Sequence, residues 1–265
     1  MAFRFTSCFL ALSLLFASAL RADPIPVRHS QGTERGFLQI RSESGAILGH
    51  GDLFQTAHGS RVTSELVLHF KDGSIDDETT VFTQTGTFRL ISDHHIQKGP
   101  FFHTPTDILV EANGNVTSHS IGKDGKEKVE TQHIDLPPDV CNGMVGPLLS
   151  NISPTAQPFK LSMIVPTGDK GRLVHLNISP TTSQKFADVG LTYTATVFRI
   201  HIELGGVAGV VAPVVGKQPG DLFVWIAEGT APQFVRLLGP LAEGGPVVSM
   251  ELSGTSFKDA GGDAH

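Results

Sequence analysis

Four side chains that can bind a transition metal stand close together in the middle of the sequence. His94 and His95 are adjacent, and His103 and Asp107 follow them. Neutral imidazole and carboxylate oxygens both bind zinc or copper. Adjacent residues of a β-strand point to opposite faces, so His94 and His95 cannot easily bind one ion. We therefore interpret them as a histidine pair at a surface or strand edge, and we predict no metal site.

Three consecutive carboxylates, Asp76 to Glu78, form a second candidate beside the turn residues at 71–73. Oxygen-rich clusters bind Ca²⁺, but the spacing and the glycine of an EF-hand loop are missing. Neighbouring carboxylates on a turn also lack the burial that would separate their pKa values for acid–base catalysis. The sequence therefore predicts a solvated hairpin end here.

The sequence favours no cofactor and no catalytic mechanism. It contains no G-x-S-x-G, H-E-x-x-H or C-x-x-C motif. The segment Gly209–Gln218 is faintly like a phosphate-binding loop, but six residues separate its outer glycines, and Gln218 replaces the hydroxyl that would meet Mg²⁺. Enzymatic activity stays open, and a protein without catalytic residues is favoured.

The N-terminus has the pattern of a cleavable export signal. Arg4 precedes the apolar run Cys8–Leu20, which is too short to span a bilayer as a helix. Small residues follow, with A-x-A-like cleavage sites after Ala19 and Ala22. We therefore predict a signal peptide over residues 1–22, with no transmembrane segment after cleavage. The mature chain would then reside in the periplasm or outside the cell.

Charge and cysteine content narrow the function classes. The formal net charge is −6, and removal of Arg4 and Arg21 with the signal would change it to −8. An acidic chain without a basic patch excludes nucleic-acid binding. Cys8 would leave with the signal, so Cys141 would have no partner for an intramolecular disulfide. We interpret Cys141 as a buried structural residue.

Alternating apolar and polar residues dominate the rest of the chain and predict β-strands. Tight turns at 71–73 and 113–114 separate several of them. The predicted strands are Glu65–Phe70, Thr79–Gln84, Thr87–Ser92, Asp107–Ala112, Val116–Ile121, Glu127–Ile134, Phe159–Val165, Leu173–Ile178, Thr192–Leu204, Leu222–Ala227, Gln233–Leu238 and Val247–Leu252.

These elements predict an all-β fold in which one strongly curved antiparallel sheet, or half-barrel, occupies residues 23–253. The proline-containing segment Leu136–Ile152 interrupts the alternation and predicts one or two short helical turns. The last residues, 254–265, are small and polar and predict a disordered tail.

The strand Thr192–Leu204 carries Phe198, Ile200 and Ile202 on one face and charged residues on the other. Thirteen phenylalanines but one tyrosine and one tryptophan remain after residue 22, which suits a dry core or an apolar cavity rather than a sugar site. We therefore predict that Phe198, Ile200 and Ile202 face an apolar ligand.

The uncharged segment Gly205–Gly216 follows that strand and has two interpretations. It could be a lid at the mouth of an apolar cavity, or a buried crossover packed on the sheet, and we favour the crossover. In either case, we expect Val210, Val211 and Val214 to lie near the cover of the apolar side.

The stretch Glu203–Leu241 resembles uncharacterised exported bacterial proteins. Their common features are the Gly-Val-Ala run, Gly216–Pro219 (GKQP) and the Ala-Pro-x-Phe of Ala231–Phe234. A related group of envelope proteins is similar to the periplasmic lipoprotein carriers, whose half-barrels hold acyl chains under short helices. The resemblance implies a fold and a binding role, and it supplies no catalytic residues.

Three functions remain after these exclusions. The first is an exported, non-catalytic protein that binds an apolar or lipid-like ligand, or a lipidated partner. The second is an envelope interaction or structural module with a packed core and no small ligand. The third, least favoured, is a metal-dependent enzyme that uses the histidines. The sequence does not indicate an oligomeric state.

The signal peptide predicts the mass of the purified protein. Expression of the complete chain with export should give a protein that begins at Asp23, or at Leu20 if cleavage follows Ala19, because the small residues before each site suit a signal peptidase. Intact-mass spectrometry measures this directly. Recovery of the exported chain with residues 1–22 attached would show instead that the segment is a retained anchor.

Overall fold

The structure is a computed structural model that describes residues 24–121, 125–168, 170–204 and 219–257. The described part contains fifteen strands and one short helix, in keeping with the alternation of the sequence. The strands are β1 Glu34–Ser42, β2 Ile47–His58, β3 Arg61–Phe70, β4 Ile75–Thr85, β5 Thr87–Lys98, β6 Thr106–Glu111, β7 Asn115–Ile121, β8 Glu127–His133, β9 Phe159–Thr167, β10 Lys170–Asp188, β11 Leu191–Glu203, β12 Leu222–Ala227, β13 Gln233–Pro240, β14 Val247–Leu252 and β15 Thr255–Phe257, and the helix is α1 Val145–Leu149.

All fifteen strands belong to one antiparallel sheet, which confirms the predicted fold class. Strands β1 to β8 pair in sequence as one meander, and β10 to β14 pair in sequence as another. The two meanders join where β14 pairs with β1, with Leu252 opposite Leu38 and Val248 opposite Ser42. Strand β9 pairs with β10 alone, and β15 pairs with the far end of β10.

The sheet curves until its ends approach each other. Gly171 in β10 lies against β7, where a Cβ would come within 2.7 Å of the Val116 side chain. In β8, Gln132 Nε2 donates a hydrogen bond to the Gly171 carbonyl at 2.5 Å. We call the concave side of this sheet the inner face and the convex side the outer face.

Glycine at two predicted turns permits the tight reversals. Gly73 ends the β3–β4 turn with a φ of 87°, and Gly114 ends the β6–β7 turn with a φ of 90°. A side chain at such an angle is strained, whereas glycine adopts it freely. These turns therefore set the register of the hairpins on either side of them.

The two largest apolar clusters lie on the inner face. The larger contains Phe82, Phe198 and Ile200 from the sheet and Leu149 from α1. The smaller lies around Ile40, where the two meanders join. A third cluster lies on the other side of β10 to β13, around Val197 and Trp225. Burial of apolar surface is the main source of stability for such a sheet.

A short segment covers the larger inner cluster. It runs from Asp139 to Asn151 and includes α1; we call it the cover segment. Asn151 Oδ1 accepts hydrogen bonds of 2.7 Å from the backbone N–H groups of Arg28 and His29. Leu148 and Leu149 are buried on the sheet side. The predicted helical turns are therefore present as a single five-residue helix.

The C-terminal region differs from the prediction. Disorder was predicted from residue 254 onward, whereas Thr255–Phe257 form β15, in which Phe257 stacks on Phe186 with ring centroids 5.5 Å apart. An aromatic residue in a polar tail is enough to dock it on an apolar cluster. Residues 258–265 lie outside the described part. No helix in the described part is long and apolar enough to cross a membrane.

Phe82 provides a test of the packed interior. Its side chain is fully buried, so Phe82→Ala should lower the free energy of unfolding by about 3–5 kcal/mol. Phe54→Ala is the matched control, because Phe54 is 46% exposed and its removal should cost little. Denaturant unfolding followed by circular dichroism measures both. Equal, small losses would contradict the packing described here.

Candidate functional site

The predicted ligand-binding residues lie in the core or at its margin. Phe198 and Ile200 are each 1% exposed within the larger inner cluster. Ile202 is half-buried and packs against that cluster. Val210, Val211 and Val214 lie outside the described residues. Contact of any of these side chains with a ligand therefore remains a prediction.

The adjacent histidines point to opposite faces, as the alternation predicted. His94 Nε2 lies 2.9 Å from Asp107 Oδ1 on the outer face. His95 Nε2 lies 2.7 Å from Asp76 Oδ1 on the inner face. The interpretation of both as surface residues was wrong for His95, whose side chain is only 23% exposed. His103 is exposed.

The carboxylates at 76–78 also differ from the prediction. They lie within β4 rather than at a solvated hairpin end. Because side chains alternate along a strand, Asp76 and Glu78 face inward and Asp77 faces outward. Asp76 is 5% exposed, and Glu78 is half-buried. Their burial supplies the condition for shifted pKa values that the sequence did not indicate.

Four titratable groups meet on the inner face of β4 and β5. We call Asp76, Glu78, Asp93 and His95 the inner cluster. Glu78 is directly opposite His95 in the register of the two strands. The neighbouring cross-strand pairs are Asp76 with Gln97 and Thr80 with Asp93.

Hydrogen bonds fix the buried carboxylates of the inner cluster. Thr80 Oγ1 donates to Asp93 Oδ1 at 2.7 Å. Gln97 Nε2 donates to Asp76 Oδ2 at 2.9 Å and is also 2.9 Å from the backbone carbonyl of Leu241. Such bonds offset part of the cost of removing charge from water.

Burial and mutual repulsion change the protonation of the cluster. Burial raises the pKa of Glu78 from its ordinary value of 4.5 to about 8, and the charges of Asp93 and Asp76 add to the rise. Burial also raises the pKa of Asp93. For His95, burial lowers the pKa, but the bond to Asp76 and the charge of Glu78 outweigh it and bring the pKa to about 9. At neutral pH, His95 is therefore a cation and Glu78 retains a proton.

The cover segment closes one side of the inner cluster. A Cβ on Gly143 would lie 1.7 Å from Thr80 Oγ1 and 2.7 Å from Asp93 Oδ1, so only glycine fits there. Asn142 exchanges two hydrogen bonds with the backbone of Ile164, at 2.8 and 2.9 Å. Cys141 is fully buried beside these groups, and burial raises its pKa, so its thiol stays protonated as predicted for a structural cysteine.

The inner cluster can hold and exchange protons. It combines a neutral carboxyl group with an imidazolium, and both are half-buried. No group of three or more metal-ligating side chains in the described residues is arranged to hold an ion. The inner cluster was not predicted from the sequence, because recognising it requires the register of β4 and β5. The available signal was the period-two pattern at 76, 78 and 80 and at 93, 95 and 97.

A groove of about 360 Å³ is lined by residues of β9, β10 and β11 and by Pro158. Apolar Phe159 and Ile178 lie beside basic and polar side chains in its lining. Ile178 is directly opposite Ile200 in the register of β10 and β11. The remaining lining residues are Pro158, Lys160, Asn177, Ser179, Arg199 and His201. We call this the β9–β11 groove.

The cations of the β9–β11 groove are paired with carboxylates. Lys160 Nζ is 2.8 Å from Glu203 Oε2, and its hydrogen bond lowers the pKa of Glu203. Asp221 accepts from Arg199 Nε at 2.5 Å and lies 2.7 Å from His201 Nδ1. Burial opposes ionisation of Asp221, but these two bonds outweigh it and lower its pKa. The rim is therefore polar with balanced charge.

Comparison with known proteins leaves the family open. No protein-family model and no curated protein matches the chain. The crystal structure of a beta-barrel-like protein of a domain of unknown function, DUF1849, from Brucella abortus is similar to 90% of this chain and 100% of its own. The sequence identity is 9% and the TM-score is 0.43. A similarity of this degree supports no inference about activity or ligand.

The inner cluster predicts that acid stabilises the protein. Raised pKa values mean that the folded state binds more protons than the unfolded state, between pH 4.5 and about 8 for Glu78 and between 6.5 and about 9 for His95. The free energy of unfolding should therefore fall as pH rises through this window. Glu78→Gln should reduce that fall, on the order of 2 kcal/mol, because it removes the charge that forms at high pH.

Urea unfolding across this pH window measures the effect. Glu65→Gln is the control, because Glu65 is exposed on the outer face and its neutralisation should leave the pH dependence unchanged. A pH dependence that is the same in wild type and Glu78→Gln would show that Glu78 does not titrate in this window.

Proposed function

We propose that the protein is an exported, non-catalytic protein that binds an apolar or lipid-like ligand, or a lipidated partner, in the β9–β11 groove. The observation that carries the proposal is the continuity of this groove with the apolar core. Phe159 lines the groove and packs against the larger apolar cluster, which contains Ile200, a residue that the sequence predicts at an apolar ligand. The N-terminal signal pattern supports export.

The size and chemistry of the groove suit an amphiphile. Its volume lies within the usual range for small-ligand sites, about 300–1,000 Å³. Phe159, which is half-buried, offers apolar contact to a hydrocarbon chain. Lys160, Arg199 and His201 stand beside it and can donate hydrogen bonds to an oxygen-containing head group. Their carboxylate partners limit the preference for a net negative head group.

The core residues support the groove from behind. Phe198 and Ile200 are buried, so they hold Ile178 in place without direct contact with the ligand. A change at Ile200 would therefore affect binding through the position of the groove wall. Phe159, which is half-buried, is the better residue to change because its removal leaves the buried cluster intact.

A second candidate is an interaction module without a small ligand. The specific observation in its favour is the filled interior, where Met144 and Leu149 of the cover segment and Leu161 and Leu176 of the sheet are each at most 1% exposed. On the outer face, Phe37 is 57% exposed and Arg35 stacks over its ring at 4.9 Å. A partner protein would contact such a surface.

The first proposal is tested by what the purified protein carries. Protein from cells that express the complete chain should release a stoichiometric lipid or other apolar compound on solvent extraction, detected by mass spectrometry. Phe159→Ser should release several-fold less, because it removes the apolar wall of the groove. Phe54→Ser is the matched control, since it removes an exposed phenylalanine far from the groove and should retain the ligand.

Ile200→Asp should abolish binding, but it also places a charge in the core. Circular dichroism must therefore accompany that variant, and Phe159→Ser decides the question if Ile200→Asp unfolds. An empty wild-type protein, or equal ligand in Phe159→Ser and wild type, would contradict binding in the groove. An empty protein that captures a partner through Phe37 would favour the second candidate.

A further inference from the structure

The longest hairpin of the sheet ends in an apolar tip. Strands β10 and β11 pair up to Asp188 and Leu191, which leaves Val189 and Gly190 as a two-residue loop. The exposed fraction is 91% for Val189, 61% for Leu191 and 40% for Tyr193. We call Val189, Leu191 and Tyr193 the hairpin tip.

The turn is built on a residue that disfavours it. Val189 has a φ of 46° and Gly190 a φ of 80°, the pair of positive angles that a type I′ turn needs. Asparagine and glycine adopt such angles readily, whereas a β-branched side chain is strained there. Val189 is the only non-glycine residue with a positive φ in the described chain. An exposed valine at this position therefore costs stability and brings no packing in return.

The tip continues an apolar stripe that begins in the cluster around Val197 and Trp225. Alternate residues of β11 share one face, and the exposed fraction rises along it from Val197 at 4% through Tyr193 to Leu191. Tyr193 stacks on Phe186, which in turn stacks on Phe257, with ring centroids 5.5 Å apart in both pairs. These contacts hold the stripe rigid up to the turn.

The other side of the hairpin end is polar and nearly uncharged. Lys185 and Thr194 are directly opposite each other on that face, as are Ala187 and Thr192. Lys185 is the charged residue of that side, whereas Asp188 is half-buried on the face of the hairpin tip, directly opposite Leu191, and the two charges cancel. The hairpin end is therefore amphipathic, with hydroxyl groups beside an apolar apex.

We propose that the hairpin tip inserts into the interface of a lipid bilayer. A convex apolar apex needs a complementary groove in a protein partner, whereas a fluid bilayer accommodates it without one. Tyrosine prefers the head-group level, where its apolar ring meets the acyl chains and its hydroxyl stays hydrated. Tyr193 is two residues behind Leu191 and would lie at that level. Val189 then enters the acyl region, and Leu191 and the Asp188 carboxylate opposite it lie at the head-group boundary, where the carboxylate stays hydrated. The contact is independent of the β9–β11 groove, and the cancelled charges require no anionic lipid.

Sedimentation with vesicles tests the insertion. Protein purified from cells expressing the complete chain, with its intact mass recorded, is mixed with phosphatidylcholine vesicles and with vesicles that also contain phosphatidylglycerol. Wild type should bind both kinds to a similar extent. Val189→Asn and Leu191→Thr should each reduce the partition coefficient on the order of tenfold, because each removes one apolar side chain from the contact with the bilayer.

The variants separate binding from folding. Val189→Asn should raise the melting temperature while it weakens binding, because asparagine relieves the strained turn. Val129→Thr is the matched control, since Val129 is 59% exposed on β8 and its change should leave binding as in wild type.

Three results would overturn the proposal. The first is a failure of wild type to sediment with either kind of vesicle. The second is sedimentation of Val189→Asn and Leu191→Thr to the same extent as wild type. In the third, light scattering would find a dimer that Val189→Asn dissociates, with no vesicle binding, and the occupant of the tip would be a second copy of the chain.

Discussion

One imidazolium among three carboxyl groups constrains the middle of this molecule. The His95 imidazolium offsets the buried charge of Asp76, with which it pairs, and Glu78 avoids a buried charge by retaining its proton. Its position opposite Glu78 depends on the register of β4 and β5, so a one-residue slip would separate the groups. The inner cluster also contacts the elements on both sides. Gln97 bonds the Leu241 carbonyl, and Gly143 of the cover segment packs on Thr80 and Asp93.

The apolar clusters are arranged around this polar centre. The larger apolar cluster of the inner face lies beneath the cover segment, and the smaller apolar cluster lies at the junction of β1 and β14. Apolar packing is non-directional, whereas hydrogen-bonded charges accept few geometries. The apolar clusters therefore supply the stability. The four titratable groups of the inner cluster specify one arrangement of the sheet and the cover segment. The β9–β11 groove and the hairpin tip lie away from the inner cluster, so changes there need not disturb the fold.

Much of the sheet could be predicted from the alternation of residues, because one face of most strands is apolar. This held from Glu65 to His133, where glycine turns mark the hairpins. It failed in β2, where Gly49 and Gly51 interrupt the alternation. Those glycines allow close approach of β3, since a Cβ at Gly49 would lie 2.3 Å from the His69 carbonyl. The inner cluster and the groove were beyond prediction, because both combine residues from strands whose pairing the sequence does not state.

The junction of the two meanders has a consequence for the order of events after synthesis. The second strand that pairs with β1 is β14, in which Leu252 is opposite Leu38. The backbone hydrogen bonds on that edge of β1 therefore form only when β14 is present. Until nearly the whole chain has emerged from the ribosome, the first strand presents an open edge, which invites pairing with other chains. Closure over such a separation is slow. The sheet of a nascent chain therefore stays incomplete until β14 has been synthesised.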